Sequence, residues 1–296
     1  ALSLILLLLA GAIVAFERIF SRVKFTTDEA LVGKPVKYSL GRWRFPAIGF
    51  VSLIVLLSTG APLLALGDWA TDGLIRTTRG GYPLTIDKEQ VWESTWNTFS
   101  ISVLAGLVAV IAILPIAFLV ARYKSRIGSV AHSVIIATFA LPGILIALAM
   151  RFWTLRSDWA YDLVNNTEVL LIFAYVVRFG SLAMGVILVA VAAVPKRLHD
   201  AGKILGVRKF SRFARIDLPI MTPGLAAAAG LVILSTMKEL PITLLISPLG
   251  FSTLATRIFS SFEDAFVAEA GIMALILVAL SSVLTWFLVI RKADHL

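Results

Sequence analysis

Long apolar runs that contain almost no charged residues constrain this chain more than any other feature. A helix needs roughly 20 apolar residues to cross about 30 Å of hydrocarbon. Seven segments reach or approach that length, and they cover residues 2–16, 46–66, 95–121, 130–152, 169–194, 222–246 and 267–290. Lipid offers no water to backbone groups, and these runs do not alternate as barrel strands do, so each is predicted to be a helix. The predicted fold class is an all-α membrane protein.

The composition supports a membrane protein and excludes several other classes. Of 296 residues, 59% are hydrophobic and 15% are charged, whereas about a quarter of the residues in an ordinary soluble domain are charged. The net charge of +9 does not indicate nucleic-acid binding, because the basic residues lie between apolar runs rather than on one soluble face. The absence of cysteine excludes disulfides, thiolate metal sites and cysteine nucleophiles.

The first run is shorter than the other six and is separated from them by a polar segment. Residues 2–16 would form roughly 24 Å of helix, which is short of a full crossing, and the run lacks the basic start and the cleavage site of a signal peptide. We expect residues 1–16 to be the tail of a preceding transmembrane helix that is apparently truncated; a processed or naturally short N-terminus is the alternative. Residues 17–45 are predicted to be a cytoplasmic linker, and residues 46–296 a six-helix domain. A linker after a single helix suggests a second, similar unit upstream.

Lys and Arg are concentrated in every second connection between the runs. Nineteen of the 27 basic residues lie in residues 17–45, 122–129, 195–221 and 291–296. Six lie in or beside residues 67–94, 153–168 and 247–266. Cytoplasmic loops carry an excess of Lys and Arg, so the first set of connections is predicted to be cytoplasmic, together with the C-terminus.

The connection between the fifth and sixth of these seven runs, residues 195–221, is long and patterned. Its first part repeats small and apolar side chains on one helical face, at Leu198, Ala201 and Leu205. Its second part places apolar side chains at Phe210, Phe213 and Ile216. Gly206 stands where a left-handed helix stop is expected, and Pro219 is predicted to end the second helix. The pattern predicts a helix-turn-helix elbow in the cytoplasm.

This loop resembles the signature of the permease subunits of binding-protein-dependent ABC importers. That signature is Glu-Ala-Ala, three residues, Gly, nine residues, Ile, one residue and Leu-Pro. The matching positions in this chain are Asp200, Ala201, Gly202, Gly206, Ile216, Leu218 and Pro219. Asp200 shortens the usual acidic side chain by one methylene, and Gly202 replaces an alanine, which makes the elbow more flexible. The resemblance implies that these seven residues couple the chain to an ATPase; a basic loop that merely folds into helices is the alternative.

The resemblance also implies the assembly in which such a chain works. The fold would be a six-helix ABC importer permease bundle in a bacterial cytoplasmic (inner) membrane. The implied partners are a cytoplasmic ATPase dimer, a periplasmic or extracellular substrate-binding protein and a second permease half, fused upstream or separate. The lipid bilayer surrounds the assembly, and no nucleic acid takes part. ATP and Mg would be bound by the ATPase, so no cofactor is expected in this chain.

A second region indicates a subfamily. Residues 237–245 and 248–257 look like the corresponding region of the ferric-iron permeases, in which two six-helix halves are commonly fused. This likeness implies that residues 46–290 form the second half and residues 2–16 the end of the first. Thiamine and phosphonate permeases share much of the pattern, so both cargoes stay open as alternatives to ferric iron.

Charged residues inside predicted helices are candidates for the translocation path or gate, and they are Arg178, Lys238 and Glu239, followed by Pro241. A charge within the bilayer costs at least about 2.5 kcal/mol, so these side chains should face the bundle interior and find partners. Glu239 is the expected partner of Arg178, or of a charge in the missing half. Pro241 is expected to loosen its helix so that it can bend. A purely structural ion pair between two helices is the alternative.

No catalytic or metal-binding pattern occurs in the sequence. There is no phosphate-binding loop of the Walker type and no catalytic triad, so the chain is not expected to be an enzyme, and ATP would be hydrolysed by a partner. None of the three histidines lies in the outer half of the bundle, so we expect a separate binding protein to select any iron cargo. Residues 247–266 are predicted to form an outer surface helix, either a docking platform or a plain interfacial helix. An ATPase-independent secondary transporter is the alternative of a different class.

Overall fold

The first span that the computed structural model describes is almost entirely exposed at its beginning. The described residues are 41–75, 78–79, 82–83, 87–195, 197–198, 204 and 206–287. Helix α1 (Arg44–Val55) continues through a π-helical segment (Leu56–Gly60) into α2 (Ala61–Ile75). Pro46 lies in the first turn of α1, where its missing N–H breaks no helical hydrogen bond, so the helix begins upstream of the predicted position. The predicted segment 2–16 and most of the linker 17–45 lie outside the described residues.

A short β-ladder separates the first span from the rest of the chain. Strand β1 (Thr78–Arg79) pairs antiparallel with β2 (Tyr82–Pro83), and each strand has two residues. Helix α3 (Lys88–Ala121) follows, and the side chain of Asp87 caps it by accepting hydrogen bonds from the backbone N–H groups of Glu89 and Gln90. This cap satisfies donors that have no partner within the first turn.

Three long helices form the centre of the bundle. Helix α7 (Glu168–Ala193) packs against α3 and against α9 (Leu218–Thr236), and α9 also packs against α3. The buried face of α3 repeats every four residues and is mostly small, with Ile101, Ala105, Ala109, Ile113 and Ala117. Small side chains allow membrane helices to approach closely, which gives the van der Waals contacts that hold them together in lipid.

Gly106 allows α3 and α9 to approach each other closely. A Cβ atom at Gly106 would lie 2.6 Å from Cγ1 of Ile233 and 3.0 Å from the carbonyl oxygen of Ala229. Only a glycine fits this position without moving the neighbouring helix. On the other side of α9, a Cβ atom at Gly224 would lie 2.5 Å from Cβ of Ala190 in α7.

Replacing Gly106 with alanine is therefore expected to destabilise the bundle. The added methyl group overpacks the α3–α9 contact, which typically costs about 1–3 kcal/mol. The measurement is the thermal unfolding of the purified protein in detergent. Gly185→Ala in α7 is the matched control, because nothing lies within 4 Å of the added Cβ there, so it should leave the melting temperature unchanged or raise it slightly. Equal stability of the two variants would contradict this packing.

The run at 130–152 is not the single helix that its composition predicts. Helix α4 (Arg126–Ala140) and helix α5 (Gly143–Arg156) are bent by 112° relative to each other. Pro142 lacks an N–H and disfavours a helical conformation at the preceding residue, and Leu141 is accordingly extended, with φ −74° and ψ 133°. A short helix α6 (Asp158–Val164) then leads to α7.

The elbow region differs from its predicted form at Pro219. A four-residue helix α8 (Lys209–Arg212) passes through a π-helical segment (Phe213–Asp217) into α9, so that one helix runs from Lys209 to Thr236. Pro219 therefore does not end a helix. The wider π turn displaces the preceding carbonyl groups, which allows a proline ring to enter an unbroken helix. Gly206 has φ +70°, the left-handed conformation predicted for the helix stop.

The last part of the bundle consists of a second broken run, an outer helix and a final span. Residues 237–240 separate α9 from α10 (Pro241–Ile246), so the run 222–246 is also two helices. Helix α11 (Leu254–Glu263) lies within the segment predicted to form a surface helix, and it packs on α12 (Val267–Thr285). Arg257 of α11 pairs with Glu269 of α12 at 2.9 Å and donates to Gln90 of α3.

Five helices of the described residues are long and apolar enough to cross a membrane, and the bent pair α4–α5 supplies a sixth crossing when counted as one span. The predicted all-α membrane fold is confirmed.

Candidate functional site

Two interruptions in membrane helices meet inside the bundle. One is the turn at 141–142 between α4 and α5, and the other is the segment 237–240 between α9 and α10. Helix α10 packs against α5. At the contact, a Cβ atom on Gly143 would lie 2.5 Å from Oε1 of Glu239 and 3.3 Å from Cγ1 of Ile242. The carboxylate of Glu239 is therefore placed at the N-terminus of α5, where the helix dipole favours a negative charge.

Arg178 holds the other side of the same turn. This residue lies in the middle of α7, and its Nη1 donates to the carbonyl oxygen of Phe139 at 2.6 Å and to that of Leu141. These carbonyl groups are at the C-terminus of α4, where no further helical N–H groups follow to bind them. The guanidinium also lies 5.4 Å from the centre of the Phe139 ring. Arg178 therefore caps a helix end that would otherwise expose unbonded carbonyl groups within the membrane.

The expected ion pair between Arg178 and Glu239 is not formed directly. Within the part of the chain that the structure describes, the two side chains form no salt bridge, and their charges interact only at longer range. The predicted direct pairing was wrong because it considered side-chain partners alone, and a pairing of Glu239 with a charge in a second half stays a prediction. Arg178 instead binds backbone carbonyl groups, which became available only because Pro142 interrupts the helix.

A buried chain of hydrogen bonds connects α7 to the second interruption. The hydroxyl oxygens of Tyr175 and Thr243 are 2.6 Å apart, and the Thr243 hydroxyl donates to the carbonyl oxygen of Glu239 at 2.8 Å. Because a hydroxyl carries one hydrogen, Tyr175 must be the donor to Thr243. This chain fixes the backbone at Glu239 relative to the centre of the bundle.

Lys238 and Glu239 are adjacent in sequence but contact different neighbours. Lys238 is exposed and lies at a groove of about 400 Å³ beside α12, whose lining includes Ser281, Thr285 and Trp286. Glu239 is half-buried and faces α5. The two interrupted helices thus bring Glu239 and Arg178 to one turn, whereas Lys238 lies at the groove beside α12.

Pro241 begins a helix rather than bending one. It is at the N-terminal end of α10, a position at which the missing N–H of proline needs no partner and its fixed φ favours the first turn. The expected loosening of a continuous helix is therefore corrected to a complete interruption before Pro241.

Only some of the elbow residues that were predicted to couple to an ATPase belong to the part of the chain that the structure describes. Asp200, Ala201 and Gly202 lie outside the described residues. Gly206 and Pro219 are exposed, and Ile216 and Leu218 are half-buried. Their role in ATPase coupling stays a prediction.

Several residues of the central cluster were not singled out from the sequence. Tyr175 and Thr243 gave no signal, because single hydroxyl groups are common in membrane helices. Gly143 did give one, since Pro142-Gly143 inside an apolar run indicates a break. Within the described residues, no group of three or more His, Asp or Glu side chains is placed to hold a metal ion.

A comparison with known protein families identifies the family of this chain. Residues 88–291 match the profile of the binding-protein-dependent transport system inner membrane component. The chain belongs to this family. The match begins at the first residue of α3 and continues through α12, so it includes both helix interruptions, the elbow and the outer helix.

Two curated relatives extend the comparison of this permease component. It is 30% identical over 275 residues to an Fe(3+)-transport system permease protein of Haemophilus influenzae, covering 92% of this chain and 53% of the relative. The chain thus spans about half the length of that relative. It is 21% identical over 193 residues to a Salmonella typhimurium protein named for a 2-aminoethylphosphonate transport system, covering 65% of this chain and 72% of the relative.

A solved structure supports the fold of the permease component. A chain of the MetNI methionine ABC transporter, determined in inward-facing conformations, aligns with a TM-score of 0.53 at 17% sequence identity. The alignment covers 68% of this chain and 94% of the MetNI chain. At this identity the likeness establishes a shared fold and carries no information about cargo.

Proposed function

We propose that this chain is one transmembrane half of an ATP-driven importer for ferric iron. It would form the translocation path together with a second permease half, fused upstream or separate. A cytoplasmic ATPase dimer would bind ATP and Mg, and an external binding protein would deliver the cargo. The family membership and the Fe(3+)-transport relative support this proposal.

The observation that carries the proposal is the unbroken helix from Lys209 to Thr236. Its 28 residues extend about 40 Å at 1.5 Å per residue. It starts within the elbow, just after Gly206, and ends at the interruption that contains Glu239. A displacement of the elbow by an ATPase would be transmitted along this helix to the interruption, which is the mechanical connection an ATP-driven permease requires.

Arg178 and Glu239 occupy the place where that displacement would act. We infer that the turn at 141–142 and the segment 237–240 form a gate in the translocation path, since each interrupts a membrane helix and the two approach each other at Gly143. Lys238, on the side of α12, would face lipid or the second half. In this orientation the elbow and the C-terminus are cytoplasmic, as the distribution of Lys and Arg indicates.

The chemistry of the gate favours a cation as the cargo. Glu239 offers carboxylate oxygens, a ligand type that suits hard metal ions, whereas Nη1 of Arg178 is already bonded to two backbone carbonyl groups. A single carboxylate would contact a passing ion without holding it tightly. A phosphonate is the second candidate, because the Salmonella typhimurium relative is named for such a system.

Reconstituted transport tests the cargo. The natural full-length permease, its ATPase and its binding protein would be placed in proteoliposomes and supplied with radioactive ferric iron, 2-aminoethylphosphonate or thiamine. We expect ATP-dependent accumulation of iron, and no accumulation of the other two above the level without ATP. Uptake of the phosphonate instead of iron would overturn the cargo, and uptake that continues without ATP would overturn the importer class.

A further inference from the structure

A large cavity lies between the C-terminal end of α3 and the start of the long helix that runs from the elbow to Thr236. Its volume is about 660 Å³. Most of its wall is apolar and comes from Leu114, Pro115, Phe118, Leu119 and Phe213. Its polar lining consists of Arg122, Tyr123, Lys209, Arg212 and Asp217. A cavity of this kind suits a molecule that is apolar along most of its length and charged at one end.

Three cationic side chains against one carboxylate make the lining net positive. Arg122 is held in place because its Nη2 donates to the carbonyl oxygen of Val194 at 2.8 Å, at the end of α7. Lys209 is exposed at the first residue of α8. The positive charge therefore comes from two separate elements that converge on one space.

Two of the charged side chains are buried and incompletely bonded. Arg212 is 8% exposed and Asp217 is 5% exposed. Within the described residues, Nε of Arg212 and Oδ1 of Asp217 have no hydrogen-bond partner. Buried polar atoms are almost always hydrogen-bonded in native proteins. Because the buried Nε–H of Arg212 lines a cavity and has no acceptor among the described residues, we expect a ligand in the cavity to supply one.

The position of the cavity identifies the source of that acceptor. Arg122 is at the end of a membrane-spanning helix, and Lys209 and Arg212 begin another. The charged end of the cavity therefore lies at the edge of the hydrocarbon region, and its apolar wall extends along α3 into that region. Basic pockets between membrane helices near the cytoplasmic surface are the sites at which anionic lipid headgroups bind.

We propose that this cavity binds an anionic phospholipid, with the phosphate at Arg122, Lys209 and Arg212 and the acyl chains along the apolar wall. Phosphatidylglycerol has the required chemistry. The inference depends on the chain lying in a bilayer and not on the cargo or on ATPase coupling. Since the lipid would contact the start of the long helix, its presence would stiffen the segment that the elbow moves.

Native mass spectrometry of the natural full-length permease with its ATPase tests the proposal. The complex would be equilibrated with phosphatidylglycerol, phosphatidylcholine or glycerol 1-phosphate. We expect selective retention of phosphatidylglycerol and a higher melting temperature with that lipid alone. In Lys209→Gln, retention should fall about fivefold, because each cation near the membrane surface contributes about a fivefold factor to binding of an anionic lipid.

Arg215→Gln is the matched control. Arg215 is exposed, lies in the same helix and does not line the cavity, so this variant should retain the lipid as the unmodified complex does. Lys209 is also exposed, so loss of folding does not confound its substitution. Equal retention of phosphatidylcholine would overturn the proposal, as would an equal loss in both variants. Stabilisation by glycerol 1-phosphate alone would indicate a free-phosphate site, and absence of any lipid would indicate that a partner subunit fills the cavity; either result would also overturn it.

Discussion

Changing Gly206 to valine is expected to reduce ATP-driven uptake at least about tenfold while the protein remains folded in the membrane. Gly206 has φ +70° and nothing within 4 Å of its Cβ position. Valine adds no clash there, but the left-handed conformation costs a non-glycine residue roughly 1–2 kcal/mol. Relief of that strain would reshape the elbow, and about 1.4 kcal/mol corresponds to a tenfold change in an association constant. The measurements are uptake and co-purification of the ATPase.

Gly250→Val provides the matched control for this experiment. Gly250 also has a positive φ, +80°, and nothing within 4 Å of its Cβ position. It lies between α10 and α11, away from the elbow. Both variants carry the same kind of free-energy cost for a left-handed backbone conformation. Because only Gly206 lies in the elbow, only Gly206→Val should release the ATPase. Asp200→Lys, which reverses a charge in the elbow, should release it as well. Normal ATPase association in both elbow variants would contradict the proposed coupling.

Replacing Arg178 with methionine is expected to reduce uptake more than about 100-fold and to lower the melting temperature. The substitution removes the donors that bind the carbonyl groups of Phe139 and Leu141. An unbonded backbone group within a membrane costs several kcal/mol, and about 3 kcal/mol corresponds to more than a 100-fold change in an equilibrium constant. Arg178→Lys keeps the charge and some donors, so it should restore part of the stability.

The comparison of folding with transport separates two roles of Arg178. Loss of assembly together with uptake would show that Arg178 is structural, whereas a folded variant without uptake would place it in the gate. Arg156→Gln is the control, since Arg156 lies over the Phe152 ring at the end of α5 and, among the described residues, the bonds to the turn at 141–142 come from Arg178. It should leave both measurements unchanged. If Arg178→Met kept normal stability and normal uptake, the capping role would be wrong.

Most spans could be predicted from the sequence because the bilayer imposes a length and a composition on them. The predicted span 169–194 differs by one residue at each end from Glu168–Ala193. The same criterion failed at the two interruptions, since apolar residues continue on both sides of each one. Pro142 and Pro241 mark the positions, but the sequence does not show that Arg178 of a different helix binds the carbonyl groups at the 112° bend.

The central cluster illustrates a second limit of sequence reasoning. Charge complementarity suggested that Arg178 would pair with Glu239, because side chains are the only partners that a sequence displays. The partners in the structure are backbone carbonyl groups, and which of these are free follows from where helices end. Pro219 shows the same dependence, since a π turn permits a proline that would end an ordinary helix.

The glycine contacts of α9 limit how a cargo can pass. Gly106 fits α3 directly against α9, and Gly224 fits α9 directly against α7. These contacts are closely packed, so α3, α7 and α9 cannot slide or separate from one another without losing van der Waals contacts. We therefore expect α3, α7 and α9 to move together as one rigid body. An opening for the cargo would then form along the outer faces of this three-helix unit, as it moves relative to the helices around it.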